Sequence, residues 1–284
     1  MPAPDGITST LTRAYSERMS RAVSVATLQR MKREGQPIVA LTAYDYAFAR
    51  VLDGAGVDVV LVGDSLGMVI QGHAGTNPVT LEEMAYHTRC VARGLERALL
   101  MVDLPFLSDF DSRSALESAA VLMKRGGAEM VKIEATAEQA PIVAALSRAG
   151  VPVCAHFGLR PQRVLQMGGY RVQGRGDDGA AEVLADARAL AEAGADVLLV
   201  ECLAADVAAQ VQAAVDVPLI GIGAGPRCDG QILVVQDMLG MTPGRPPKFS
   251  RDFLPEGGSI QGAVEAYAAA VRERRFPAAE HCFE

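Results

Sequence analysis

The chain has 284 residues, half of them hydrophobic, and a formal net charge of −7. That length and composition allow a large core, and the acidic balance leaves no basic footprint for nucleic acid or anionic lipid. Cys90, Cys154, Cys202, Cys228 and Cys282 are odd in number, scattered and never in a C-x-x-C pair; with no apolar run near the ~18 residues of a membrane span, the chain reads as a soluble, cytoplasmic protein without disulfide framework or structural zinc.

Residues 1–20 are rich in Ser, Thr and Arg and lack an apolar centre, so they do not read as a secretory signal. Asp5 and Glu17 weaken an organellar transit reading. Residues 1–23 are expected to form a disordered or loosely docked extension, and 24–284 a single domain. A short helix over 24–34 is expected from Val25, Leu28 and Met31 on one face, stopped by Gly35 and Pro37. Strands are then expected at 38–43, 59–63, 99–103, 130–134, 151–156, 197–201, 219–223 and 232–236. Continuous apolar runs of this length suit parallel strands covered on both faces.

Helix signals fall between most of them. Asp45 can cap a helix running to Ala55, with Gly56 as its stop, and Thr80 with Glu83 forms a capping box for a helix ending near Gly94. Helices over 112–125 and 180–193 are closed by Gly126 and Gly194, and a last helix over 260–275 lies outside the repeats. Gly56, Gly127, Gly150 and Gly194 each precede a strand, where a helix end needs a left-handed residue. Eight such units predict a (β/α)8 TIM barrel. A doubly wound open sheet would need a nucleotide fingerprint after the first strand, where Thr42-Ala43-Tyr44-Asp45 stands instead. Two stretches break the rhythm: 158–179, carrying GGYRVQGRG at 168–176, and the Pro- and Gly-rich 240–258. The glycines of 168–176 predict a mobile flap over the pocket.

Four expected strands lead to a carboxylate as they surface: Asp64, Asp103, Glu134 and Glu201. That is the end at which α/β folds keep their chemistry. Asp64 and Asp103 could supply oxygen ligands to a hard cation such as Mg2+, or each could cap the next helix or make a structural ion pair. Pro105 bars immediate helix entry after Asp103. Lys132 and Glu134 share one side of their strand, as a site pair or as a buried structural ion pair. Glu201 closes an apolar run and is a candidate general base, or a cap for the next helix. His156 ends a strand as a site residue or a satisfied core histidine. His73, His87 and His281 show no metal-type spacing. Glycines 221, 223 and 225 could form a phosphate nest or merely tight turns.

At these residues the sequence resembles the ketopantoate hydroxymethyltransferase family. The resemblance rests on LTAYDY (41–46), LVGDSLGM (61–68), VDLPF (102–106), VKIE (131–134), GGYRVQGRG (168–176), GIGAG (221–225), CDGQILV (228–234) and EHCF (280–283). It implies a barrel of the phosphoenolpyruvate/pyruvate type, with an N-terminal helix and a C-terminal helical extension. It also implies hydroxymethyl transfer from methylenetetrahydrofolate to α-ketoisovalerate through a Mg-stabilised enolate, for pantothenate synthesis. On this reading Asp64 and Asp103 ligate Mg2+ and Glu134 reaches it through water. Ser65, Lys132 and His156 hold the oxo acid, Glu201 is the base, and the subunits assemble as homodecamers. A Mg-dependent C–C lyase or mutase of the same superfamily is the alternative. Ala135-Thr136, Arg160 and Leu165 depart from the family pattern in loops beside the site, where they bear on substrate range and lid behaviour.

Overall fold

In the computed structural model, residues 22–169 and 171–283 are described. The extension expected over 1–23 lies outside them except for its last two residues. There, Val23 is buried and its N–H donates to the Arg97 carbonyl.

Eight parallel strands close into one barrel in sequence order. They are β1 (Ile38–Thr42), β2 (Val59–Val62), β3 (Leu99–Asp103), β4 (Met130–Glu134), β5 (Val153–Gly158), β6 (Val197–Glu201), β7 (Leu219–Ile222) and β8 (Gly230–Leu233). Their residues are buried almost throughout. Helices follow every strand except β7, which leads directly to β8 through residues 223–229, and the capping signals expected at Ser24, Asp45 and Thr80 hold. Ser24, Asp45 and Thr80 each accept a hydrogen bond from the first turn of Val25–Glu34, Tyr46–Gly54 and Leu81–Ala92. The Thr80–Glu83 box is reciprocal. The glycines expected to turn the chain back do so, with φ of 79° at Gly56, 85° at Gly127, 83° at Gly150 and 99° at Gly194.

Several boundaries differ from expectation; β5 runs Val153–Gly158 rather than 151–156, and the last helix ends at Arg272 rather than 275. The helix Ser112–Val121 continues as a wider π-turn, Leu122–Gly126, so Gly127 rather than Gly126 takes the left-handed position. The helix expected over 180–193 begins at Gly176, where Asp177 and Asp178 suit the positive end of its dipole. β8 begins at Gly230 and not at 232. A Cβ at Gly230 would lie 2.6 Å from the Ile38 carbonyl oxygen, so only glycine allows β8 to close on β1. The rest of that apolar run, Val235–Met238, is a short helix, and the Thr42 hydroxyl accepts from the N–H of Val235.

The final helix, Ile260–Arg272, docks on the closure seam. The Tyr267 hydroxyl there sits 3.1 Å from the Ala40 carbonyl and 3.0 Å from that of Gln231. Among the described residues no helix is long and apolar enough to cross a membrane.

Candidate active site

Parallel register assembles the site. It aligns Asp103 with Lys132, Glu134 with His156, and Gly158 with Glu201. Aligned residues of neighbouring strands share a face, so these side chains meet at the carboxyl ends of the barrel strands. Asp64 arrives two residues after β2. Its N–H donates to Asp103 Oδ2 at 2.9 Å. That approach depends on Gly63, where a Cβ would lie 2.8 Å from Ser65 Oγ and 3.5 Å from Asp103 Oδ2.

Lys132 Nζ is 2.6 Å from Asp103 Oδ1, so its structural partner is Asp103 and not Glu134. His156 lies between two carboxylates, its Nδ1 4.0 Å from Glu134 and its Nε2 3.4 Å from Glu201. Neither ring nitrogen finds a hydrogen-bond partner among the described residues. His156 is thus not a satisfied core histidine. The Ser65 hydroxyl is 2.9 Å from that of Tyr44. The capping alternatives do not hold. Asp64 accepts from Gln162, and the helix after β6 (Ala205–Ala214) is preceded by Ala204 rather than Glu201.

All seven expected residues line one cavity of about 470 Å³: Asp64, Ser65, Asp103, Lys132, Glu134, His156 and Glu201. Among these seven, four carboxyl groups face one ammonium, that of Lys132. Burial, and then the charge of Asp103, pushes Asp64 up to about 7. Burial and the nearby Asp64 raise Glu134 well above the usual carboxylate range. Burial pushes Glu201 up to about 8 against the pull of Lys132. Its side chain is 15% exposed and opens into the cavity. His156 is held neutral by burial and by the nearby Lys132. For Lys132 burial opposes the charge, but Asp103, Asp64 and Glu134 outweigh it and keep the ammonium protonated.

This donor set fits a hard divalent cation. The acids are buried, mutually repelling and all-oxygen. Among the described residues no three His, Cys, Asp or Glu side chains are grouped to hold a metal alone. Two carboxylates, with water and substrate oxygens filling the rest of the sphere, are the habit of Mg2+.

Sequence reasoning missed several groups. Gln162, Arg171, Lys248, Phe249 and Phe283 enter the site or line its cavity. Arg171 and Phe283 lie in the motifs GGYRVQGRG and EHCF without a role read from them, and the others carry no local signal, because the contacts join loops distant in sequence. Cys202, directly after Glu201, holds a left-handed backbone at φ 51°. Its N–H donates to the Ile222 carbonyl, and its own carbonyl accepts from Gln173. A strained position pinned on both sides fixes the chain at the candidate base. Glycines 221, 223 and 225 are required by packing, and Gly223 and Gly225 make the expected tight turns at φ 61° and 81°. A Cβ on them would meet Cys228 Sγ at 2.7 Å, the Phe249 ring at 2.9 Å and Ala205 Cβ at 2.6 Å. Arg171 and Val172, from the expected flap, form part of the cavity wall.

The family profile described as ketopantoate hydroxymethyltransferase matches residues 22–279. The chain belongs to the ketopantoate hydroxymethyltransferase family. Among its relatives are two proteins named 3-methyl-2-oxobutanoate hydroxymethyltransferase. That of Alkalilimnicola ehrlichii is 58% identical, covering 93% of this chain and 95% of the relative. That of Chromohalobacter salexigens is 57% identical, covering 93% and 100%. The barrel is also similar to that of 2,3-dimethylmalate lyase, a PEP mutase/isocitrate lyase superfamily member. That match has a TM-score of 0.53 and 19% identity, and covers 76% of this chain and 81% of that one. At that identity the likeness speaks for the fold alone.

Proposed function

We propose that this member of the family transfers a hydroxymethyl group from methylenetetrahydrofolate to 3-methyl-2-oxobutanoate (α-ketoisovalerate), giving ketopantoate for pantothenate synthesis. One observation carries the reading: a raised carboxylate, a protonated lysine and a cluster of cation-seeking acids open into a single cavity. The lyase or mutase alternative has only the fold in its favour.

Lys132 Nζ and the Ser65 hydroxyl, oriented by Tyr44, offer donors to the carboxylate and keto oxygen of the oxo acid. A hard divalent cation held by Asp64 and Asp103, with Glu134 reaching it through water, would polarise the keto oxygen and stabilise the charge that develops there. Glu201, its affinity for protons raised toward the working pH, removes the C3 proton of the substrate. The electron pair left at C3 forms the new C–C bond to the one-carbon unit brought by the folate. Water supplies the hydroxyl oxygen, the carbon–nitrogen bonds to the folate break, and tetrahydrofolate leaves with the proton taken from C3 and one from water on its nitrogens. Neutral His156 lines the pocket between Glu134 and Glu201 and offers the substrate a hydrogen bond.

The cytoplasm, where the five cysteines stay reduced, and homodecameric assembly belong to the same proposal. Exposed Phe110 and Leu165, at 68% and 84%, supply apolar surface of the kind self-association covers. The test is turnover with methylenetetrahydrofolate and 3-methyl-2-oxobutanoate, run beside other branched 2-oxo acids. Product from the named oxo acid in preference to the others is expected. Turnover of none of them would refute the reading.

A further inference from the structure

Gln162 sits in the short 3-10 turn Pro161–Arg163 that follows β5, and it is 6% exposed. Its Nε2 donates to Asp64 Oδ2 at 2.8 Å and to the Leu104 carbonyl at 2.9 Å. Both partners are acceptors, so only the amino end of the amide can face them, and both of its hydrogens are used. The backbone N–H of the same residue faces both Glu134 oxygens at 3.2 Å. Its carbonyl accepts from Asn77 Nδ2 at 3.2 Å. One residue therefore grips two of the three carboxylates assigned to the cation and ties both to a third loop. Beyond it lies a second cavity of about 350 Å³, lined by Gln162 and Glu134 among others, and Glu134 lines both cavities.

Like-charged buried carboxylates separate unless donors restrain them. Lys132 restrains Asp103. Among the described residues, the side-chain donor to Asp64 is Gln162. We propose that Gln162 is a positioning residue of the cation site, a neutral clamp that fixes Asp64 and Glu134 so that a divalent cation meets oxygens already in place. The proposal rests on the metal-dependent reading above. It differs from a merely structural role in what it moves: metal affinity rather than fold stability.

The test is calorimetric binding of Mg2+ to the metal-stripped full chain, with thermal unfolding of the metal-free protein in parallel. Gln162→Met keeps the volume and the backbone N–H bonds to Glu134 and removes both side-chain donors. Mg2+ binding about 10–100-fold weaker than wild type is expected, the range found when groups that orient metal ligands are lost. At saturating Mg2+, C3-proton exchange of 3-methyl-2-oxobutanoate should recover most of its maximal rate, with the half-saturating metal concentration shifted upward. Wild-type affinity in Gln162→Met overturns the proposal. Should that variant not fold, Asn77→Ala frees only the Gln162 carbonyl. A smaller loss of affinity there supports the clamp, and none overturns it. A wild type that binds Mg2+ but exchanges no C3 proton refutes the proposed reaction and leaves the clamp standing. A wild type that binds no divalent cation refutes the clamp.

Discussion

Lys132 and Asp103 show how much one contact sets at the scale of single residues. The ammonium pairs with a buried carboxylate at 2.6 Å while it also lines the cavity. Removing one partner of a buried pair leaves the other charge uncompensated, which typically costs about 3–5 kcal/mol. Lys132→Met is therefore expected to lower the denaturant midpoint of the metal-free protein clearly, and to abolish binding of the oxo acid. A midpoint at the wild-type value would show that Asp103 does not depend on this lysine. Asp64→Asn should weaken Mg2+ binding strongly, because an amide oxygen replaces a charged one while still accepting from Gln162. Calorimetry returning wild-type affinity would remove Asp64 from the ligand set. At this scale the sequence was partly legible. Acids at strand exits declared themselves by position. That Lys132 pairs with Asp103 and not Glu134, and that Gln162 reaches Asp64 across 98 residues, depends on cross-strand register and loop path, which no local pattern encodes.

At the scale of elements, glycines with positive φ test the close approaches around the site. Gly158, at the end of β5, has φ 84°, and a Cβ there would lie 2.7 Å from the Glu201 carbonyl oxygen. Gly150 has φ 83° with nothing within 4 Å of its Cβ position. Gly150→Ala is expected to cost only the backbone strain, about 1 kcal/mol. Gly158→Ala adds a backbone clash beside the base and should cost more and reduce activity as well. Equal unfolding midpoints and equal activity in the two variants would contradict the strand spacing described. All eight strands were legible because apolar runs of strand length alternate with capped helices. β8 was misplaced by two residues because its first position needs glycine for contact with β1, which weakens the very signal that marks a strand. The helix start at Gly176 was missed because its first turn is glycine and aspartate, residues that also mark loops.

For the whole molecule, the barrel concentrates burial and negative charge at one mouth, and stability should report it. Asp64 at about 7 and Glu201 at about 8 hold their protons to higher pH when folded than when unfolded. The folded state therefore binds more protons in that interval, and unfolding free energy falls as pH rises through it. His156, kept neutral by burial, acts in the opposite sense, but only below its ordinary value of 6.5. The metal-free protein is thus expected to lose thermal stability as pH rises from the ordinary carboxylate values of 3.8 and 4.5 to about 8, less steeply below 6.5 where His156 opposes, and saturating Mg2+ should flatten the slope. A midpoint rising across that interval would contradict the burial of these acids. The barrel class was legible from the repeat of strand and helix, but the pocket was not, because its walls come from loops after most of the strands and from Phe283 near the C-terminus. The claim that these walls enclose one enolising site is tested most directly by deuterium uptake at C3 of 3-methyl-2-oxobutanoate in heavy water, followed by proton NMR with Mg2+ and without folate. Wild-type protein is expected to catalyse the uptake, and Glu201→Gln to lose it by about 10²–10⁴-fold with Mg2+ affinity retained. No uptake by the wild type, or undiminished uptake by Glu201→Gln, would contradict the account.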